Sequence, residues 1–193
     1  MIRKLQKSDY DACFSLVKDR PAENLFIIGD IEAYGFEQDF QKLWGEFDHN
    51  GELIAILLNY EENYIPFASQ DFDAAGFAAI MSQDPNFKMM SGLKDITEKI
   101  EPYVNRPLKR KRQTYYAKCT QLTAETTQED LKIVEQAVPE DAEDLVTLLN
   151  SIPEFKDSMI TEEKKRRSLE DRSSRSFFIK ADGKIVSTAS TAA

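Results

Sequence analysis

Histidine is nearly absent from this chain: His49 is the only one in 193 residues, and it sits in an Asn-Gly turn with no acid–nucleophile partners in view. A Ser-His-Asp system and a histidine-ligated zinc both lose their central residue on that ground. Cysteine is almost as scarce. Cys13 and Cys119 lack metal-ligand spacing and read as reduced thiols packed as small hydrophobes. No metal is expected. No apolar run approaches the roughly 20 residues that span a bilayer. The first fourteen residues, MIRKLQKSDYDACF, lack the apolar core of a signal peptide. The expectation is a cytoplasmic protein with no membrane partner. Basic charge is in deficit too, with 25 Lys and Arg against 34 Asp and Glu and a formal charge of −9. Broad nucleic-acid binding needs a net basic face, so that class is excluded as well.

What is present is globular: 41% of residues are hydrophobic and 31% charged, enough chain for one large domain or two modest ones. The organising stretch is 43–67, LWGEFDHNGELIAILLNYEENYIPF, where two apolar runs flank Asn50-Gly51. That pair predicts a hairpin with positive φ at both turn positions. Residues 53–58, LIAILL, are too apolar throughout to have one wet face, so they read as a strand buried on both sides. The device returns at 176–193 around Asp182-Gly183. Gly51 and Gly183 lie 132 residues apart, and the same offset lays 2–9 onto 134–141. In both places a short strand runs into an acidic helix start, which points to duplicated architecture.

In chain order, 2–5 alternates as a strand and Ser8-Asp9 opens a helix. Pro21 restarts a helix through Leu25, Ile28, Ile31 and Glu32, and Gly35 ends it. The hairpin at 43–47 and 52–59 follows, then a strand at 63–68. Phe72, Gly76, Phe77 and Ile80 are spaced for a helix that stops before Asp84-Pro85. A short strand at 88–93, a helix carrying Ile96, Ile100 and Val104, and a strand at 113–120 complete a first module over 1–121. Residues 122–130, LTAETTQED, are polar and aperiodic and read as a linker. The second unit, 131–193, opens with a strand at 131–138. A helix at 140–149 follows with Ala142, Leu145, Val146 and Leu149 on one face, then a charged helix from Thr161 to about 172, then the second hairpin. The class is mixed α/β, with one whole module followed by the first half of another.

This order of elements resembles the GNAT superfamily of N-acetyltransferases in its tandem-module form. The resemblance is carried by 2–9 and 21–32 (PAENLFIIGDIE) in the first module, and by 132–149 and 176–193 in the second. It implies acetyl-CoA as cofactor, an amine acceptor that is a small molecule or a peptide, and a glycine-rich loop whose N–H groups hold the coenzyme pyrophosphate. In the first module that place reads Ser69-Gln70-Asp71-Phe72-Asp73-Ala74-Ala75-Gly76. Gln70 matches the opening residue, but Asp73 stands where the first glycine belongs, and both acids suit helix capping better than a diphosphate. The first module is thus a degenerate partner. In the second the resemblance puts the loop past residue 193. The turn between the first two helices lines the acceptor site in the family, which makes Glu23, Asn24, Glu154 and Phe155 the acceptor-site candidates. Neither a catalytic residue nor a coenzyme-binding residue is assigned. The function expected is N-acetyl transfer to an amine, by a chain that lacks the pyrophosphate loop. The alternative is a GNAT-like ligand-binding or regulatory module without chemistry; a third reading is an acidic surface for a basic peptide or polyamine.

Three other features read as structural. Arg106 and Lys109-Arg110-Lys111-Arg112 could attract coenzyme phosphates but read as a solvated edge with gatekeeper charges. Lys164-Lys165-Arg166-Arg167, behind Glu162-Glu163, reads as a solvent-facing helix with i,i+4 ion pairs. Tyr115-Tyr116 alternate on a strand, one packed and one outward. The final stretch, 185–193, has no following strand in its own module. It is expected to pair with the first module's sheet or with a second copy, giving a homodimer through the C-terminal strand.

Overall fold

A computed structural model of the chain describes residues 1–115, 117, 121, 127–158, 160–171 and 174–191. The chain divides into two compact units, Met1–Lys118 and Cys119–Ala193. In the first, strand β1 (Ile2–Lys4) leads into helices α1 (Tyr10–Val17) and α2 (Leu25–Tyr34). Strands β2 (Gln41–Phe47), β3 (Leu53–Tyr60) and β4 (Asn63–Ala68) follow, then α3 (Ala74–Gln83), β5 (Met89–Met90) and α4 (Lys94–Ile100). The sheet runs β1-β2-β3-β4-β5, antiparallel except for the parallel β4–β5 pair, so it is mixed.

The central place of β3 follows from its composition. Ile56 and Leu58 point into a cluster with Cys13 and Val17 of α1 and Ile27 and Ile31 of α2. Ala55 and Leu57 point the other way, against Phe77 and Met81 of α3 and Ile96 and Ile100 of α4. A strand apolar at consecutive positions needs helices over both faces, and this one has them.

The turn before β3 departs from the expectation. Asp48 N–H donates to the Glu52 carbonyl at 2.9 Å and Gly51 N–H to the Asp48 carbonyl at 3.2 Å. The loop is therefore three residues, His49-Asn50-Gly51, with positive φ only at Gly51 (82°). The Asp48 carboxylate accepts from the N–H groups of Asn50 and Glu52 (2.8 and 2.9 Å), which selects the wider turn. These bonds hold its carboxyl below the usual range. The second hairpin is the two-residue form, with φ of 51° at Asp182 and 76° at Gly183.

The second unit holds α5 (Gln128–Lys132), β6 (Glu135–Gln136), α6 (Ala142–Ser151), α7 (Glu162–Glu170), β7 (Arg175–Ala181) and β8 (Lys184–Thr191). Its sheet is β6-β7-β8, antiparallel throughout. Two expectations fail. The linker of 122–130 and the strand of 131–138 meet a short helix instead, because Thr127 and Asp130 form a reciprocal capping box that starts α5 inside the polar stretch. Only Glu135–Gln136 remains strand, and 122–126 lie outside the described residues. The strand expected at 113–120 is not formed at Gln113, Thr114, Tyr115 or Ala117; the rest of it lies outside the described residues. Tyr115 is fully exposed, so aromatic content alone misled.

The offset repeat is also a structural repeat. Asp9 accepts from the Gln6 N–H at 2.8 Å and Asp141 from the Val138 N–H at 2.9 Å, both at the start of a short 3-10 turn that leads into a helix. Leu5 N–H donates to the Leu43 carbonyl, and Ala137 N–H to the Ser176 carbonyl. Cys13 and Leu145 are each wholly buried. The β2–β3 ladder slips so that Ile54 has no partner, and the β7–β8 ladder slips so that Val186 has none. Each of these pairs of residues keeps the spacing of the two glycines, apart from the carbonyls Leu43 and Ser176. They lie one residue further apart, as the shorter second loop requires.

Asp9 carries more than its counterpart. Arg3 donates to both of its oxygens (2.8 and 2.7 Å), and this pairing, with the Gln6 N–H, holds its carboxyl below the usual range. Asp9→Asn should cost about 1 kcal/mol at pH 7, since Arg3 is partly exposed. A depressed carboxyl contributes stability above its unfolded pKa of about 3.9, and loses it as pH falls through the lower folded value. Urea midpoints of parent and variant should therefore differ at pH 7 and converge near pH 2; a difference that persists in acid would contradict this.

Among the described residues β8 is the last strand of the three-stranded sheet. Because the Ser176 carbonyl faces β6, the backbone groups of its cross-strand partner Ser190, and of Thr188 two residues before, face away from β7. In a dilute monomer their amides should exchange quickly while Ala189 is protected. Protection at Thr188 and Ser190 that rises with protein concentration would reveal the homodimer instead.

Candidate functional site

Three places come into question, and the first is the start of α3. Asp73 caps the helix by accepting from Gly76 N–H at 2.8 Å, while its own N–H donates to Glu46 Oε2 at 2.7 Å. Asp71 pairs with Lys99 at 2.8 Å, which lowers its carboxyl. The space over Gly76 is taken: a Cβ built there would lie 2.4 Å from the Ile2 side chain and 2.5 Å from that of Asp73. A diphosphate needs converging free N–H groups and open backbone. Here the N–H groups of Asp73, Ala74 and Gly76 are satisfied internally and the opening is filled. The residues present do not fit the coenzyme pyrophosphate.

The second place is the turn between α1 and α2. Asn24 is 2% exposed; its backbone N–H and its side-chain amide both donate to the Arg20 carbonyl at 3.0 Å, and its own carbonyl accepts from Ile28. That closes the turn between the helices, a structural task. Glu23 differs: its Oε2 is buried, and among the described residues no group donates to it.

The third place lies in the second unit. Glu154 and Phe155 sit on the short 3-10 stretch Pro153–Ser158, both exposed. Phe155 lines a cleft of about 340 Å³, together with Leu148 and Leu149 of α6, Ile152 just past its end, Lys165 of α7 and Ser190 of β8. Glu154 is not among the lining residues. Lys165 Nζ donates to Ser176 Oγ at 3.1 Å, and Ser176 Oγ lies 2.8 Å from Ser190 Oγ. Burial pushes the Lys165 ammonium toward a lower pKa.

No family model, curated protein or solved structure matches this chain. The GNAT resemblance is therefore one of element order read from the sequence.

Of the four acceptor-site candidates, Phe155 lines this cleft and Glu23, Asn24 and Glu154 do not. Lys165, which does line it, belongs to a run whose charge pattern predicts a solvent-facing helix. Its neighbours do behave that way: Arg166 pairs with Glu162 at 2.9 Å on the exposed side. The signal was Leu169, which packs against the second unit's core and lies one helical turn beyond Lys165 on the same face. Arg106 also proves structural, donating to the carbonyls of Phe87 (2.8 Å) and Asp84 (2.6 Å) and lying over the Phe87 ring. Lys111 pairs with Glu101 at 2.6 Å. Cys13 is a buried free thiol pushed up to about 12 by burial; Cys119 and Tyr116 lie outside the described residues. Among the described residues no group of three or more His, Cys, Asp or Glu could hold a metal ion, and no helix is long and apolar enough to cross a membrane.

Proposed function

We propose that this chain is a tandem GNAT-like protein whose own task is to bind the small-molecule acceptor of an N-acetyl transfer, in the cleft of its second unit. The observation that carries the reading is the repeat: strand, acidic 3-10 turn, two helices and a bulged hairpin occur twice with matching hydrogen bonds. One copy fills its helix-covered face with side chains from β4, such as Phe67. The other keeps a cleft there, beside the turn that holds the acceptor in the resembling family. The first unit serves as scaffold, because the start of α3 offers a coenzyme nothing.

A second reading, acetyl transfer by this chain itself, is favoured by the same element order. Acetyl-CoA, when bound, supplies the acetyl thioester; the residues at α3 do not cradle it, so no step through it is derived. Separate calorimetric titrations distinguish the two. The binding reading expects an acceptor-type ligand to bind and acetyl-CoA not to. Acetylated product formed by the chain with acetyl-CoA and an amine would establish the enzyme.

A further inference from the structure

The polar end of the cleft has a direction. A lysine ammonium only donates, so Ser176 Oγ accepts from Lys165. Ser176 is 4% exposed, and a buried hydroxyl keeps its proton paired. Ser190 Oγ is the acceptor at hand, so the Ser176 proton goes there. Among the described residues that leaves the Ser190 proton, and the Lys165 N–H groups not used by Ser176, as donors without acceptors. Ser190 is exposed and both residues line the cleft.

The charge is equally one-sided. Among the described residues Lys165 is the only charged one lining the cleft, and no carboxylate of theirs pairs with it. Burial lowers its pKa. A half-buried cation without a counter-ion, next to a hydroxyl that can donate, matches an acceptor with two oxygens and one negative charge. Apart from Ser187 and from Thr188, whose hydroxyl donates to the Phe177 carbonyl, the remaining lining is apolar, mainly Leu148, Leu149, Ile152 and Phe155, and about 340 Å³ is within the range of small-ligand sites. A phosphate dianion would bring more charge than one lysine balances.

We infer that the cleft binds a small monocarboxylate with an apolar body, its carboxylate on Lys165 and Ser190 and its body against Phe155 and the end of α6. This rests on the reading of the cleft as the ligand site of the second unit. It adds the chemical class: an acceptor that carries a carboxylate as well as an amine, such as an apolar amino acid.

Three probes sharing one phenylethyl body test it on the full chain by calorimetry or NMR titration: 3-phenylpropionate, L-phenylalanine and phenethylamine. The two carboxylates are expected to bind with Kd below about 1 mM, and phenethylamine at least about tenfold more weakly. Lys165→Met, which keeps the apolar stem, should weaken the carboxylates at least about tenfold and leave phenethylamine unchanged. Lys165→Arg should retain carboxylate binding, and circular dichroism of each variant should match the parent. Equal binding of amine and carboxylates, a silent Lys165→Met, or no binding of 3-phenylpropionate at about 10 mM would each overturn the inference. Phe155→Ala separates it from the reading beneath. If Phe155→Ala abolishes binding of all three probes while Lys165→Met is silent, the cleft stands and the carboxylate falls. If Lys165→Met matters and Phe155→Ala does not, the carboxylate stands and the cleft falls.

Discussion

Ile56→Asp is expected to abolish cooperative folding of the first unit. Ile56 is wholly buried in the central strand, paired to Gly45 on one side and Phe67 on the other. Its side chain packs with residues of α1, α2, β2 and β4. Losing that burial forfeits roughly 1.5–3 kcal/mol. An uncompensated carboxylate in the same place costs several kcal/mol more, or stays neutral at a penalty of similar size. Together these are comparable with the 5–15 kcal/mol that a domain has in total. Ile54→Asp should be far milder, although the sequence presents the two isoleucines as equivalents. Ile54 is the unpaired residue where the ladder slips, and it is partly exposed. Thermal unfolding followed by circular dichroism checks both variants. A soluble Ile56→Asp protein that melts cooperatively near the parent's temperature would refute the account of β3.

The second large effect concerns the coenzyme. Acetyl-CoA is expected to bind this chain with a Kd weaker than about 1 mM, about a thousandfold short of a micromolar site. The argument is steric and chemical. Gly76 N–H is held by the Asp73 carboxylate and Asp73 N–H by Glu46, so a phosphate would have to displace carboxylates already in place. The backbone at Gly76 is covered by Ile2, a residue of β1, so its approach is closed by the fold itself. Replacing Asp73 by Gly should therefore not create affinity. It should lower stability by about 1 kcal/mol or less through the lost cap. Calorimetry on the parent and on Asp73→Gly decides. Micromolar binding by the parent would mean that another surface, with the basic run at 109–112 the first to test, holds the phosphates.

Much of the first unit was legible in the amino-acid order because its signals are local. The unbroken apolar run of β3 demands cover on both faces, Gly35 and Gly51 mark where the chain must reverse, and Asp73 caps the helix that follows it. The repeat was legible as well, through two glycines and two acidic helix starts at one spacing. Some local signals compete and only the folded chain shows which wins: the Thr127–Asp130 capping box makes 128–132 a helix, and the Asp48 carboxylate gives the Asn-Gly loop a third residue. Tertiary structure decided what depends on contacts distant in sequence. It left 113–115 and Ala117 out of the sheet. It separated the four acceptor-site candidates: Asn24 closes a turn, while Phe155 opens on a cleft. Above all it decided Lys165. In the sequence this residue is one of four consecutive cations, chemically like its neighbours. Its role comes from the phase of α7, which Leu169 sets by packing inward, and from Ser176 and Ser190 on two strands that only folding brings beneath it. Charge runs fix composition, but the direction in which each charge points is set by the helix face and the sheet it lands on.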